Sequence, residues 1–143
     1  MKNPTDQQGR RQGPWEAFWD NGFLYTKGFF VHGERHGQWE FFHPDGSLEC
    51  KGSYVHDRKQ GPWEFFHPDG GLSQKGSYIH GKRQGPRKFF WPDGGLHCKG
   101  LYLDGMRQGP WEFFHPNGNL WRKGFYQNGN KKGLWEEHGY EQA

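Results

Sequence analysis

The apolar positions of this chain are mostly aromatic and come in short bursts separated by polar, glycine-containing turns. In residues 61–84 (GPWEFFHPDGGLSQKGSYIHGKRQ) the burst Trp63-Glu64-Phe65-Phe66-His67 runs into Pro68-Asp69-Gly70. An alternating stretch from Leu72 to Ile79 follows, and then Gly81-Lys82-Arg83-Gln84. No segment between Gly or Pro residues is long enough for a helix, so both stretches predict strands. Pro presets φ for the first turn corner, Asp suits the second and Gly takes the left-handed position, which predicts a hairpin.

The pattern returns every 24 residues, aligning Gly13, Gly37, Gly61, Gly85, Gly109 and Gly133 without insertion or deletion. Five modules result, 13–36, 37–60, 61–84, 85–108 and 109–132, with a capping half repeat over 133–143 that keeps Trp135 and then turns polar. The turn recurs as Pro44-Asp45-Gly46, Pro92-Asp93-Gly94 and Pro116-Asn117-Gly118, while the first module has Asp20-Asn21-Gly22. Residues 1–12 form a polar tail, expected to fray, in which only Arg10-Arg11-Gln12 echoes the end of a module. The predicted fold is all-β: one elongated antiparallel sheet, a meander of β-hairpins with unpaired edges only at its ends.

Two registers are open. A four-residue loop, Pro68 to Gly71, places Trp63 over Gly76 and Glu64 opposite Lys75, with Trp63, Phe65, Leu72 and Tyr78 on one face. This register suits the hydrophobic pattern better. A three-residue loop with a glycine bulge would shift the pairing by one. In either, Phe66 points away from Trp63 and Phe65, so both faces carry rings and the sheet is expected to curl over one of them.

Composition changes the picture in three ways. Hydrophobic residues make up 31% of the chain but aromatics 19%, with 24 glycines, so burial must come from rings laid over a glycine-rich backbone, and disorder is excluded for residues 13–135. The net charge of +3, with Lys and Arg interleaved with Glu, argues against a nucleic-acid partner. No apolar run approaches the roughly 20 residues that span a bilayer, and the start MKNPTDQQGRRQ has no apolar core. The expected location is cytoplasmic, or periplasmic for a chain whose leader has been removed. Cys50 and Cys98 lie two modules apart, roughly 19 Å at about 4.8 Å per strand, beyond the limit of about 7 Å for a disulfide. Within one array they cannot pair, although they could crosslink copies under oxidation.

The series Gly76-x-Tyr78-x-x-Gly81-x-x-x-Gly85, repeated from Gly100 and Gly124, resembles the MORN repeat, and the following Trp with the DGxL turn resembles its bacterial variant. That resemblance implies an elongated sheet of hairpins used as a protein-binding surface. It also implies kinship with antitoxin or immunity-type proteins that neutralise a toxin partner, and lipid binding is often proposed for such arrays. Three positions depart from the pattern: Asp57 replaces the Gly seen at Gly81, Phe30 replaces the Tyr seen at Tyr78, and Arg87-Lys88 replaces Trp63-Glu64.

No candidate chemistry beyond binding emerges. The histidine ladders, His43/His67/His115 and His32/His56/His80, have rungs roughly 10 Å apart, and metal ligands must sit about 2 Å from one ion. They are expected to be structural or solvent-facing, with no metal or cofactor. Glu16, Glu40, Glu64 and Glu112 suit cross-strand pairing with Lys27, Lys51, Lys75 and Lys123 better than acid–base work. An enzyme is not expected. The fourth module breaks the pattern, since Lys88 faces Lys99 where an attractive pair is the rule. Arg83, Arg87, Lys88, Trp91, His97 and Lys99, with Lys82 and Arg107, are the candidate partner-binding patch, either for an acidic protein surface or for an anionic phospholipid headgroup. Against this stands plain repeat drift at a solvated site. The chain is expected to be a monomer, with end-to-end self-association open to its sheet edges.

Overall fold

The computed structural model describes residues 3–139, and none of them is helical. The strands are β1 (Gly13–Phe18), β2 (Leu24–Val31), β3 (Glu34–Arg35), β4 (Gly37–Phe42), β5 (Leu48–Val55), β6 (Arg58–Phe66), β7 (Leu72–Ile79), β8 (Lys82–Phe90), β9 (Leu96–Leu103), β10 (Met106–Phe114), β11 (Leu120–Gln127) and β12 (Asn130–Glu137). They form one open antiparallel sheet in chain order, with β3 and β4 both paired to β2. The hairpin meander is as expected from the repeat. Tyr140 to Ala143, the end of the predicted cap, and Met1 and Lys2 lie outside the described residues.

The hairpin loop is the three-residue one and not the four-residue loop from Pro68 to Gly71, yet the strand pairing is the one expected of the four-residue loop. Gly70 N–H donates to the His67 carbonyl and His67 N–H to the Gly71 carbonyl, which closes a three-residue loop with Gly70 at φ 98°. A bulge between Phe65 and Phe66 then absorbs the offset, so Trp63 still pairs with Gly76 and Glu64 with Lys75. Leu72 pairs with Phe66 rather than joining Trp63 and Phe65, because Ser73 is the extra residue. The module-to-module turns are tighter: His80 (φ 51°) and Gly81 (φ 82°) both lie in the left-handed region, as a two-residue hairpin turn requires. Asp57 keeps that conformation (φ 66°) without glycine, and its carboxylate holds the Arg35 guanidinium.

A second bulge occurs in every full-length hairpin return. On the β7 side β8 pairs up to Gln84, skips Gly85 and Pro86, and resumes at Arg87 opposite Gly76. The bulge accommodates a proline inside a central strand, where a regular ladder would lack its N–H. It also opens a carbonyl. Trp39, Trp63 and Trp111 lie flat over Gly28, Gly52 and Gly100 of the preceding strand, and their indole N–H groups donate to the carbonyls of Phe29, Ser53 and Leu101 at 3.0–3.1 Å. These three tryptophans are 0–2% exposed.

The core is thus a single layer of rings on one face, which we call the ring face. Tyr54 stands edge-on to Trp63 at 5.2 Å and Tyr102 edge-on to Trp111 at 5.3 Å, with Phe30 taking the corresponding place between Trp15 and Trp39. Residues 3–12 do not hang free as expected. Thr5 bridges to Arg11, Asn3 N–H donates to the Pro14 carbonyl, and the Asn3 side chain bonds both backbone groups of Glu16, so this segment covers the outer side of β1.

A Cβ added at Gly52 would lie 2.2 Å from the Trp63 ring. Gly52→Ala should therefore cost about 2–3 kcal/mol of stability by overpacking, read as a lower urea midpoint. Combined with Trp63→Ala the loss should fall short of the sum of the single losses, since both act on one contact.

Candidate functional site

The opposite face carries the charges. Alternation along the strands puts Glu40, Glu64, Glu112 and Glu136 there, and each reaches the lysine of the preceding strand: Lys27–Glu40 at 3.4 Å, Lys51–Glu64 at 3.8 Å, Lys99–Glu112 at 3.6 Å and Lys123–Glu136 at 4.0 Å. The ladder face is accordingly a row of exposed, individually weak pairs. Glu64 stands opposite Lys75 as expected, yet its ion pair is with Lys51.

The row breaks at β8. Lys88 pairs in register with Lys75 on one side and Lys99 on the other, and neither Lys75 nor Lys88 has an ion pair among the described residues. Beside this break runs a groove of about 580 Å³, with Pro62, Ser77 and Pro86 along one wall and Glu64, Lys75 and Lys88 along the other. It shares Gln38 and Lys51 with a second depression of about 800 Å³ that reaches Pro14 and Trp15. Together they make a trough across the first four modules, and its unneutralised cations stand at the module-four end.

The predicted patch is split between the two faces. Lys88 and Lys99 lie on the ladder face, exposed, whereas Arg83, Arg87, Trp91 and His97 belong to the ring face. Arg87 does not change the surface: it is 2% exposed and occupies the tryptophan slot, lying over Gly76 as Trp63 lies over Gly52. Its Nε donates to Gln74 at 2.9 Å and Nη2 to the Tyr78 hydroxyl at 3.1 Å, while Nη1 is buried without a partner. Burial pushes the Arg87 guanidinium below its usual range. Trp91 stacks on His97 at 3.9 Å, and burial pushes the His97 imidazole below its ordinary value.

The periodic spacing also concealed a row of cations. Arg11, Arg35, Lys59, Arg83, Arg107 and Lys131 stand at one position of successive modules, each over aromatic rings at 4.2–6.0 Å, and Arg35, Arg83 and Arg107 also donate to Tyr54, Tyr102 and Tyr126 hydroxyls. The signal was legible, a basic residue two before each module's first glycine. Its stem and charge cover rings that no second layer covers.

The other candidates have structural places. His43, His67 and His115 contact the carbonyls of Phe66, Phe90 and His138 one module on, at 3.4, 3.0 and 2.9 Å. His32, His56 and His80 sit in turns at φ of 50–51°. Among the described residues no three His, Cys, Asp or Glu side chains come together as metal ligands. Cys50 and Cys98 are 6% and 5% exposed, so the crosslinking of copies left open by the sequence finds no surface thiol.

The repeats match the family described as the MORN repeat variant over residues 35–56, 59–80 and 107–128. The three matches are in phase at multiples of 24 residues and pass over residues 81–106, where Arg87, Lys88 and Trp91 lie. No curated protein matches the chain. Repeats of that family are generally protein- or membrane-binding motifs.

Two outcomes follow from these placements. Arg87→Trp removes a buried charge that has no carboxylate partner among the described residues, so it should stabilise the array by about 1–3 kcal/mol. A raised urea midpoint is the expected reading. Burial pushes both thiols up to about 11 from 9.0, with Glu49 adding to the effect at Cys50. Stability drawn from the neutral thiols is then complete below pH 9 and lost as pH rises from 9 toward 11. Alkylation by iodoacetamide at pH 8 should be slow in the native protein and fast in urea.

Proposed function

We propose that this chain is a non-enzymatic scaffold that grips an acidic segment of a protein partner in the ladder-face trough, with Lys75 and Lys88 as the charged anchor. The observation that carries the reading is the Lys75–Lys88 pair. It stands beside the 580 Å³ groove and interrupts a row of otherwise paired charges. Like charges set directly opposite one another cost stability, and an acidic group bound between them would relieve the repulsion. The trough is broad and shallow and brings no acid, base and nucleophile together, which suits holding a surface better than transforming a small molecule.

The finer reading is that the partner is a toxin, neutralised when the array covers its active or substrate-binding surface, and that the pair acts in the cytoplasm. What supports it is the resemblance of the DGxL turn and the following Trp to the bacterial form of the repeat, which implies kinship with antitoxin and immunity-type proteins. A second reading, docking on anionic phospholipid, draws on the exposed row Val55, Ile79 and Leu103, one on each of three successive return strands, β5, β7 and β9, on the same face as Lys75 and Lys88.

Lys88→Glu separates these readings from repeat drift. It rebuilds the ladder pattern, so it should raise stability by about 0.5 kcal/mol, while slowing association with an acidic partner by about tenfold and flattening the salt dependence of that rate. The measurement is stopped-flow association with the partner captured from the native cell. Growth arrest by that partner, relieved by wild-type chain and not by the variant, would support the toxin reading. Cosedimentation with phosphatidylserine vesicles at physiological salt, lost in the variant, would move the assignment to lipid. Unchanged association with both would leave drift as the account of Lys88.

A further inference from the structure

The two edges of the sheet are treated differently. The outer side of β1 is occupied by residues 3–12, whereas β12 has no neighbour beyond it among the described residues. In earlier modules the outer side of the equivalent strand is regularly paired: Gly61 with Tyr78, Pro62 with Ser77, Trp63 with Gly76 and Glu64 with Lys75. From Gly133 to Glu137 the outer side of β12 therefore has the conformation of a strand made to accept another. The equivalents of Lys131 and Lys132, which are Lys59 and Gln60, are met in earlier modules by the following turn, with Gly81 N–H donating to the Lys59 carbonyl and His80 N–H to the Gln60 side chain. Leu134, in the place of Pro62 and Pro86, is 99% exposed.

We propose that β12 pairs with β12 of a second copy of this chain, antiparallel about a two-fold axis at Leu134, joining two sheets into one. The inference goes beyond the proposed function and does not rest on it. The sequence of the strand, Lys131-Lys132-Gly133-Leu134-Trp135-Glu136-Glu137, is complementary to itself when reversed. Reversal about Leu134 sets Lys131 against Glu137 of the other copy, Lys132 against Glu136, and Gly133 against Trp135, and the exposed leucines meet on the axis.

The faces agree as well. Lys132 and Glu136 stand opposite Phe125 and Lys123, on the ladder face, whereas Lys131 and Glu137 stand opposite Tyr126 and Arg122, on the ring face. Each proposed pair therefore shares a face, as direct cross-strand neighbours must. Gly133 opposite Trp135 repeats the pairing that Trp39, Trp63 and Trp111 make with Gly52, Gly76 and Gly124 across their outer sides. Parallel pairing in register would set lysine against lysine and glutamate against glutamate. The order of charges thus excludes the parallel arrangement and selects the two-fold one. Because the other edge is covered, the assembly closes at two copies and does not grow into a filament.

The test is a charge exchange. Wild-type full chain should sediment as a monomer–dimer equilibrium at concentrations up to about 200 µM. Leu134→Lys changes a fully exposed side chain and places like charges on the axis, so it should weaken dimerisation at least about tenfold with an unchanged urea midpoint. The double variants K131E/K132E and E136K/E137K should each be monomeric alone, since each opposes like charges. Mixed in equal amounts they should form a heterodimer, because all four opposite-charge pairs return. Rescue on mixing also excludes simple misfolding of either variant. A wild-type monomer throughout the range, a dimer unaffected by Leu134→Lys, no rescue on mixing, or open-ended polymers would each overturn the proposal.

Discussion

One contact carries this fold: an indole laid flat on a glycine of the preceding strand, with its N–H donated to a carbonyl beside that glycine. Each element of the 24-residue module serves it. Gly52 leaves the space that the Trp63 ring fills, and the Gly61-Pro62 bulge breaks the ladder where the Ser53 carbonyl must turn to the indole. A sheet without a second layer cannot bury rings against a facing element, so it buries them against its own backbone. Each module then touches little beyond its neighbours, and stability accumulates along the array.

The same constraint explains the cations on the ring face. Rings standing on a one-layer sheet would have open tops, and a long basic side chain from the preceding module closes them with its stem while its charge meets the π face. Lys59 lies about equally near Trp63, Phe65 and Tyr78, at 5.0–5.3 Å, and so ties one module to the next. Arg87 carries this logic a step too far, with the cation sunk into the ring slot itself. There it lacks both the indole's hydrogen bond to the carbonyl and a counter-charge.

Much of this was legible in the sequence because the repeat supplies the same reading five times. The period, the hairpins and the Trp63–Gly76 register follow from where Gly, Pro and Trp recur. The bulge at Ser73 was harder, since turn chemistry and hydrophobic pattern asked for registers one residue apart and only a compensating bulge satisfies both. The candidate patch was misread for a physical reason. An arginine in place of a tryptophan looks like surface by residue type, whereas the slot over Gly76 is defined by the missing Cβ and admits any long flat side chain. Alternation then separated Arg87 from Lys88, which adjoin in sequence and lie on opposite sides of the sheet.

A periodic face poses a difficulty for any partner that binds it. Equal rungs 24 residues apart offer the same contacts in several registers, so a bound strand or loop could settle at more than one place with nearly equal free energy. Discrimination requires one rung to differ. Lys88 supplies that difference on the ladder face without disturbing the strand pairing on either side, because Lys75 and Lys99 keep their in-register positions. On the proposed reading, the cost of setting Lys88 between two lysines fixes where along the trough an acidic segment comes to rest. The irregular module thereby turns a uniform surface into an address.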